Sequence, residues 1–303
     1  MNTATIEELN EEFSLGDPLE FNAGSGDLTF VEIENNQSCA TICLQGAQIL
    51  HWQKHDEPPV LWLSEQARFE SGKAIRGGIP ICWPWFGNHP DDPEKPAHGF
   101  VRNISWKVLA TEAISEDKTR IQLGTSDTPE TRQLWPFSFR VKVTITVGEE
   151  LTVELKAYNE TDQPYTFGGA LHSYFTVSDV SDIKISGLED TEYVDKLDGL
   201  AVKTQQGAIC IDREIDAVFM ETKAECVIED SGLKRRIYVA KKGSKSTVVW
   251  NPWIEKTKQL ADVADEGYQT MVCIEAANTG EDLITVPAFG SRILKTTLRT
   301  ETL

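Results

Sequence analysis

Alternation dominates the chain. From Phe139 to Val147 every odd position is apolar and every even position polar. After Gly148-Glu149-Glu150 the same pattern resumes at Leu151, Val153, Leu155 and Ala157. Two such runs around a short glycine-containing loop predict an antiparallel hairpin with one buried face. Further strand-like runs lie at Leu28–Ile33, Ala40–Leu44, Val60–Leu63, Trp106–Leu109, Arg120–Leu123, Ala224–Ile228, Arg236–Ala240, Thr247–Trp250, Thr270–Ile274, Leu283–Val286 and Arg292–Leu298. Helical spacing is rare. Ile6, Leu9 and Phe13 fit one face of a helix capped by Thr3 or Thr5, and Ile254–Val263 fits a short one. Many strands at short spacing, without a strand–helix–strand rhythm, predict an all-β fold: a large antiparallel β-sandwich with few short helices. No linker rich in Pro, Gly or Ser divides the chain. Residues 1–303 are expected to form one domain, with 1–20 as an N-terminal helix or extension.

Two stretches break the strand pattern. SGKAIRGGIPICWP spans residues 71–84, and WFGNHPDDPEKPAHGFVR spans 85–102. The second holds Pro90, Pro93, Pro96 and a run of acids, which predicts an ordered irregular loop of the kind that often carries function.

Charge narrows the function. With 29 Lys+Arg against 48 Asp+Glu the net charge is −19, which repels nucleic-acid backbones and anionic membrane surfaces alike. Neither is an expected partner. No apolar run approaches the roughly 18 residues of a membrane span, and MNTATIEELNEEF lacks the apolar centre of a signal peptide. Cys39, Cys43, Cys82, Cys210, Cys226 and Cys273 are scattered singly, which points to a reducing, cytoplasmic setting and away from a zinc site. Nucleotide-binding glycine loops, HExxH and GxSxG are all missing, so neither cofactor nor metal is expected. An acidic surface makes a soluble monomer the default.

The acid–base candidates are few. His51 and His55 flank a turn that reads as solvated surface, and His89 lies in the proline loop. His98 precedes Gly99, where a compact backbone can present it to a cleft. His172, in GGALHSYF, reads equally as a hydrogen-bonded core histidine or a site residue. Glu275 ends an apolar strand, and so lies either in water or in a functional cleft. Arg76, beside Gly77-Gly78, either meets a ligand or pairs with a loop acid. Trp83, Trp85, Phe86 and Phe100 are candidates for stacking on sugars, or anchors of the loop.

Taken together and in order, IRGGIPICWPWFG, AHGFVRNISWKV, ALHSYF and CIEAAN resemble the hexose-6-phosphate mutarotases of the aldose 1-epimerase, or galactose mutarotase-like, superfamily. The likeness runs from about residue 20 to 298. It implies a large antiparallel β-sandwich and exchange of the α and β anomers of a hexose 6-phosphate, chiefly glucose 6-phosphate, as the small-molecule partner. By the same resemblance His172 is the general acid and Glu275 the general base. Arg76 and Arg102 hold the substrate at its phosphate, His98 touches a sugar hydroxyl or serves as an auxiliary polar group, and Asp216 binds sugar hydroxyls. One position departs from the pattern: Ala97 stands where such proteins often have Gln. Two other readings remain open at this stage, an epimerase of unphosphorylated aldoses and a non-catalytic sugar-binding protein on the same fold.

Overall fold

Phe139–Val147 and Leu151–Asn159 form the expected hairpin, paired from Phe139↔Asn159 to Thr146↔Thr152. Every apolar position of the two runs is buried. In the computed structural model, which describes residues 4–303, this hairpin is the middle of an eight-stranded antiparallel sheet. The strand order is Ile183–Ser186, Cys226–Asp230, Arg235–Lys242, Ser291–Thr302, Leu151–Asn159, Phe139–Val147, Lys118–Ser126 and Lys107–Ser115.

A second eight-stranded sheet carries Asp216 and Glu275. Its order is Ala201–Thr204, Glu192–Asp195, Ile215–Phe219, Ser246–Asn251, Met271–Asn278, Gly169–Leu171 and Ile81–Cys82, with Tyr174–Thr176 also pairing to Met271–Asn278. A four-stranded sheet precedes both (Leu19–Ala23, Thr29–Glu34, Ser38–Cys43, Gln48–Lys54), and Tyr165–Phe167 pairs with Ile284–Val286. Val153 and Leu294 from the first large sheet share one buried cluster with Ile274 and Ala276 from the second. The two sheets therefore pack through their apolar faces, as the alternation requires.

Helices are few and short. Ile6–Phe13 is capped by Thr5, whose side chain accepts from Glu8 N–H while the Glu8 side chain accepts from Thr5 N–H. That is a capping box, with Leu9 as the helix's buried residue. Pro129–Leu134 is a helix the periodicity did not predict, although Thr128 followed by Pro129 is a helix start signal.

Two expectations need correction. Ile254–Val263 is helical only over Trp253–Thr257, because beyond it the bonds tighten to i→i−3 (Gln259 N–H to Lys256 O, Leu260 N–H to Thr257 O) and the chain turns away. Val60–Leu63 is apolar but not a strand. Its backbone groups bond singly to separate partners, Val60 N–H to Trp52 O and Trp62 N–H to Tyr174 O, so no ladder forms.

Candidate active site

Strand register decides which side chains meet. In Met271–Asn278, Ile274 and Ala276 face the inter-sheet core, so Cys273, Glu275 and Ala277 face the opposite side. Cys273 pairs across with Trp250 and Tyr174, and Trp250 pairs onward with Asp216. Glu275 pairs with Val248, and Ala277 pairs with Ala170, which pairs with Cys82. The outer face thus carries a row Asp216–Trp250–Cys273–Tyr174 and, beside it, Glu275. Ala170, Ala277, Cys82 and Cys273 on this face are fully buried, the first three packed with Phe86 and Cys273 with Tyr174, Trp62 and Trp250.

Glu275 is not at a strand end in water. It lies mid-strand and 1 % exposed. His172 falls in the gap between Gly169–Leu171 and Tyr174–Thr176, where its backbone N–H donates to Pro80 O. Both flanking segments pair with Glu275's strand, which brings His172 Nε2 to 3.4 Å from Glu275 Oε1. Tyr174 stacks on the His172 ring at 4.7 Å and 7°, while Trp250 meets it edge-on at 6.3 Å. His172 Nδ1 and Glu275 Oε2 are buried and have no partner among the described residues. Native proteins seldom leave such atoms unmatched, so each residue of the pair has hydrogen-bonding capacity to spare. Burial pushes Glu275 well above the usual carboxylate range, with Asp216 adding to it. Burial likewise pushes His172 well below the usual imidazole range, helped by His98, Arg102 and Arg76.

His98 lies 5.6 Å from His172, ring to ring. Its φ of +65° and the +72° of Gly99 make the tight bend that aims it inward. A Cβ on Gly99 would meet Trp83 O at 2.0 Å, so only glycine fits there. His98 Nδ1 accepts from Gly87 N–H at 3.3 Å, which leaves the neutral ring's proton on Nε2 as a donor. Burial, then Arg102, Lys196 and Arg76, push this histidine down to about 3, so it stays neutral at physiological pH.

The arginines differ. Arg76 donates from Nε to Asp262 Oδ2 at 3.1 Å and from Nη1 to the Tyr174 hydroxyl at 3.2 Å, so the loop-acid pairing is real. Arg102 donates from Nη2 to Ala97 O at 2.9 Å, leaves its buried Nε unpartnered, and forms no ion pair with a carboxylate among the described residues. Asp216 pairs with Lys196 at 3.0 Å. No group of three or more His, Cys, Asp or Glu among the described residues has an arrangement that could hold a metal ion.

The six residues to which the resemblance gives a role, His172, Glu275, Arg76, His98, Arg102 and Asp216, gather around one outer face of this sheet. Lys196, Asp262, Tyr174 and Trp250 belong to the same cluster, and the sequence reading missed them. Of the stacking candidates, Phe86 borders His172 at 6.3 Å and His98 at 4.9 Å. Trp83, Trp85 and Phe100 are instead buried with the core. The other histidines contact separate partners: His51 meets Cys39, His55 meets Glu34, and His89 meets Trp85 and Lys95. His51 is half-buried within a strand rather than at a solvated turn.

The sequence profile of the family described as Aldose 1-epimerase matches residues 29–297, nearly the whole chain. The chain belongs to the aldose 1-epimerase family. Among curated relatives of this aldose 1-epimerase family member, a Salmonella typhimurium protein provisionally named glucose-6-phosphate 1-epimerase is 36 % identical over 252 residues, covering 82 % of this chain and 83 % of its own. An Escherichia coli K12 protein with the same provisional name is 34 % identical over 256 residues, covering 84 % and 85 %. A crystal structure of a Salmonella typhimurium protein, provisionally titled a mutarotase, superposes with a TM-score of 0.88 at 30 % identity and 96 % coverage of both chains. The all-β, antiparallel fold expected from alternation is thus also that of a solved relative.

Proposed function

We propose that this chain interconverts the α and β anomers of D-hexose 6-phosphates, chiefly glucose 6-phosphate, by acid–base opening and closing of the ring. The observation that carries the reading is the buried His172–Glu275 pair, with one unpartnered polar atom on each residue, set among three cationic side chains. The names of the curated relatives support the same substrate.

Anomer exchange needs a base for the C1 hydroxyl and an acid for the ring oxygen, so the pair must share one proton. Ring opening uses ionised Glu275 and protonated His172. Glu275 takes the C1–OH proton, the C1–O5 bond breaks as the C1 carbonyl forms, and His172 protonates O5. The site then holds a neutral acid and a neutral imidazole, the tautomer that burial favours. Rotation about C1–C2 and closure on the other face reverse the transfers. His98 donates from Nε2 to a sugar hydroxyl, Asp216 accepts from hydroxyls, and Arg76 and Arg102 receive the phosphate. We further read the protein as a cytoplasmic monomer acting on a small molecule, with no nucleic-acid or membrane partner.

An anomer-exchange assay by NMR on glucose 6-phosphate and glucose tests the reading. Acceleration of the phosphosugar over buffer supports it, and saturable binding without acceleration marks a sugar binder instead.

The pH profile of kcat/KM is expected to be a bell with its limbs spread apart. The acid limb is the second proton going onto His172, which burial holds below its ordinary 6.5. The alkaline limb is loss of the last proton of the pair, held on Glu275 above its ordinary 4.5. Both midpoints belong to the coupled pair. An acid-limb midpoint above 6.5 would contradict this assignment.

Arg102→Ala and Arg76→Ala are each expected to weaken kcat/KM for glucose 6-phosphate at least about tenfold, since a charge-assisted contact contributes about 1.5–3 kcal/mol. The slower reaction of glucose should change less. If the ratio of the two kcat/KM values stays constant across both variants, the arginines do not hold the phosphate.

A further inference from the structure

Lys196 was not singled out by the sequence, and the proposed chemistry gives it no part. It is the first residue beyond strand Glu192–Asp195, in the turn before Ala201–Thr204. Its backbone N–H donates to Asp216 O at 3.0 Å, one step past the paired ladder, which seats it above the Asp216 strand. Its ammonium lies 3.0 Å from Asp216 Oδ2 and 6.0 Å from the centre of the Phe86 ring. Phe86 in turn borders His172 and His98. The ion pair therefore stands on the wall of the site that faces the catalytic pair, and its two side chains remain 37 % and 21 % exposed. Neither makes a side-chain hydrogen bond to any other described residue, so both have hydrogen-bonding capacity to spare.

We propose that Lys196 is a specificity residue which, with Asp216, reads the vicinal diol at C2 and C3 of the sugar, resting on the anomer-exchange reading above. A hydroxyl is both donor and acceptor. Between a carboxylate and an ammonium it satisfies both roles at once, with charge assistance on each side. A vicinal diol offers two such groups side by side. Asp216 and Lys196 project from the same face of the sheet as Glu275, and the charges of both act on its carboxylate. A hydroxyl held between them is therefore one close to the carbon on which Glu275 works, which puts C2 and C3 first. A substrate lacking the C2 hydroxyl forgoes these charge-assisted bonds, and the two charges keep only each other and water.

The test compares glucose 6-phosphate with 2-deoxyglucose 6-phosphate in the wild type, Lys196→Met and Lys196→Arg, reading kcat/KM for anomer exchange by NMR. The wild type is expected to prefer the full sugar at least about tenfold. Lys196→Met should shrink that preference at least about fivefold, and Lys196→Arg should restore part of it. If Lys196→Met slows both sugars equally, or neither, the lysine only braces Asp216 and the proposal fails. A wild type that does not accelerate glucose 6-phosphate at all overturns the underlying reading instead, so the two failures are told apart.

Discussion

Glu275→Gln is expected to lower kcat for glucose 6-phosphate by roughly 10²–10⁴-fold, the contribution of a well-placed acid–base group. That corresponds to about 3–5 kcal/mol of transition-state stabilisation. The amide matches the acid in shape but cannot take the C1 hydroxyl's proton. Because Glu275 is 1 % exposed and burial already disfavours its charge, the neutral replacement should leave the protein folded and no less stable. His172→Ala should fall in the same range. The double variant should lose little more than either single one, since an acid without its base does half a proton exchange. Magnetisation-transfer NMR gives the rates and a thermal melt gives the stability. Near-wild-type exchange in Glu275→Gln, with an unchanged melt, would show that the base lies elsewhere.

Trp83→Ala is expected to destabilise the fold by about 3–5 kcal/mol, the usual cost of emptying a large aromatic site in a core. Trp83 is fully buried, with Trp135, Phe139, Phe167 and Phe100 around it at centroid distances of 4.7–6.4 Å. These neighbours come from three stretches of chain, around Phe100, Trp135–Phe139 and Phe167, so collapse around the gap would require several elements to move together. The same residue underlies the site, because Trp83 O accepts the Phe100 N–H and rests against Gly99. Loosening it should let the His98 bend relax, lowering activity along with stability. The urea midpoint measures the first effect and the exchange assay on the folded fraction the second. A loss under about 1 kcal/mol would mean that the surrounding rings refill the space.

The sheets were legible where one face of a strand meets a core and the other meets water. Phe139–Val147 and Leu151–Asn159 state their register in their own pattern. The second large sheet was harder to read. Its central strand Met271–Asn278 is buried on both faces, and Gly169–Leu171 is three residues long, so neither shows alternation. That double burial also made Glu275 look like a residue at a strand end. His172 and Glu275 were nameable as candidates from local pattern, but their roles came from family resemblance, and their 3.4 Å approach only from the fold. Lys196 sits in YVDKLDG, which by itself reads as a polar turn. Asp262 lies in a segment with helix-like spacing, and its partner Arg76 is far away in sequence. No local pattern announces a pairing made across that separation.

The segments on either side of His172 both pair with the strand that carries Glu275. The distance between proton donor and acceptor is therefore a property of strand register, like the spacing of teeth on two meshed gears. Sliding Met271–Asn278 by one residue would turn Glu275 into the core and bring Ile274 or Ala276 to the sugar. Small adjustments of that strand cannot retune the chemistry; they either keep it or abolish it. New substrate preferences on this scaffold have to arise at the rim instead, in the turn holding Lys196, the bend at His98 and the segment holding Asp262, where a side chain can change without moving the ladder beneath it.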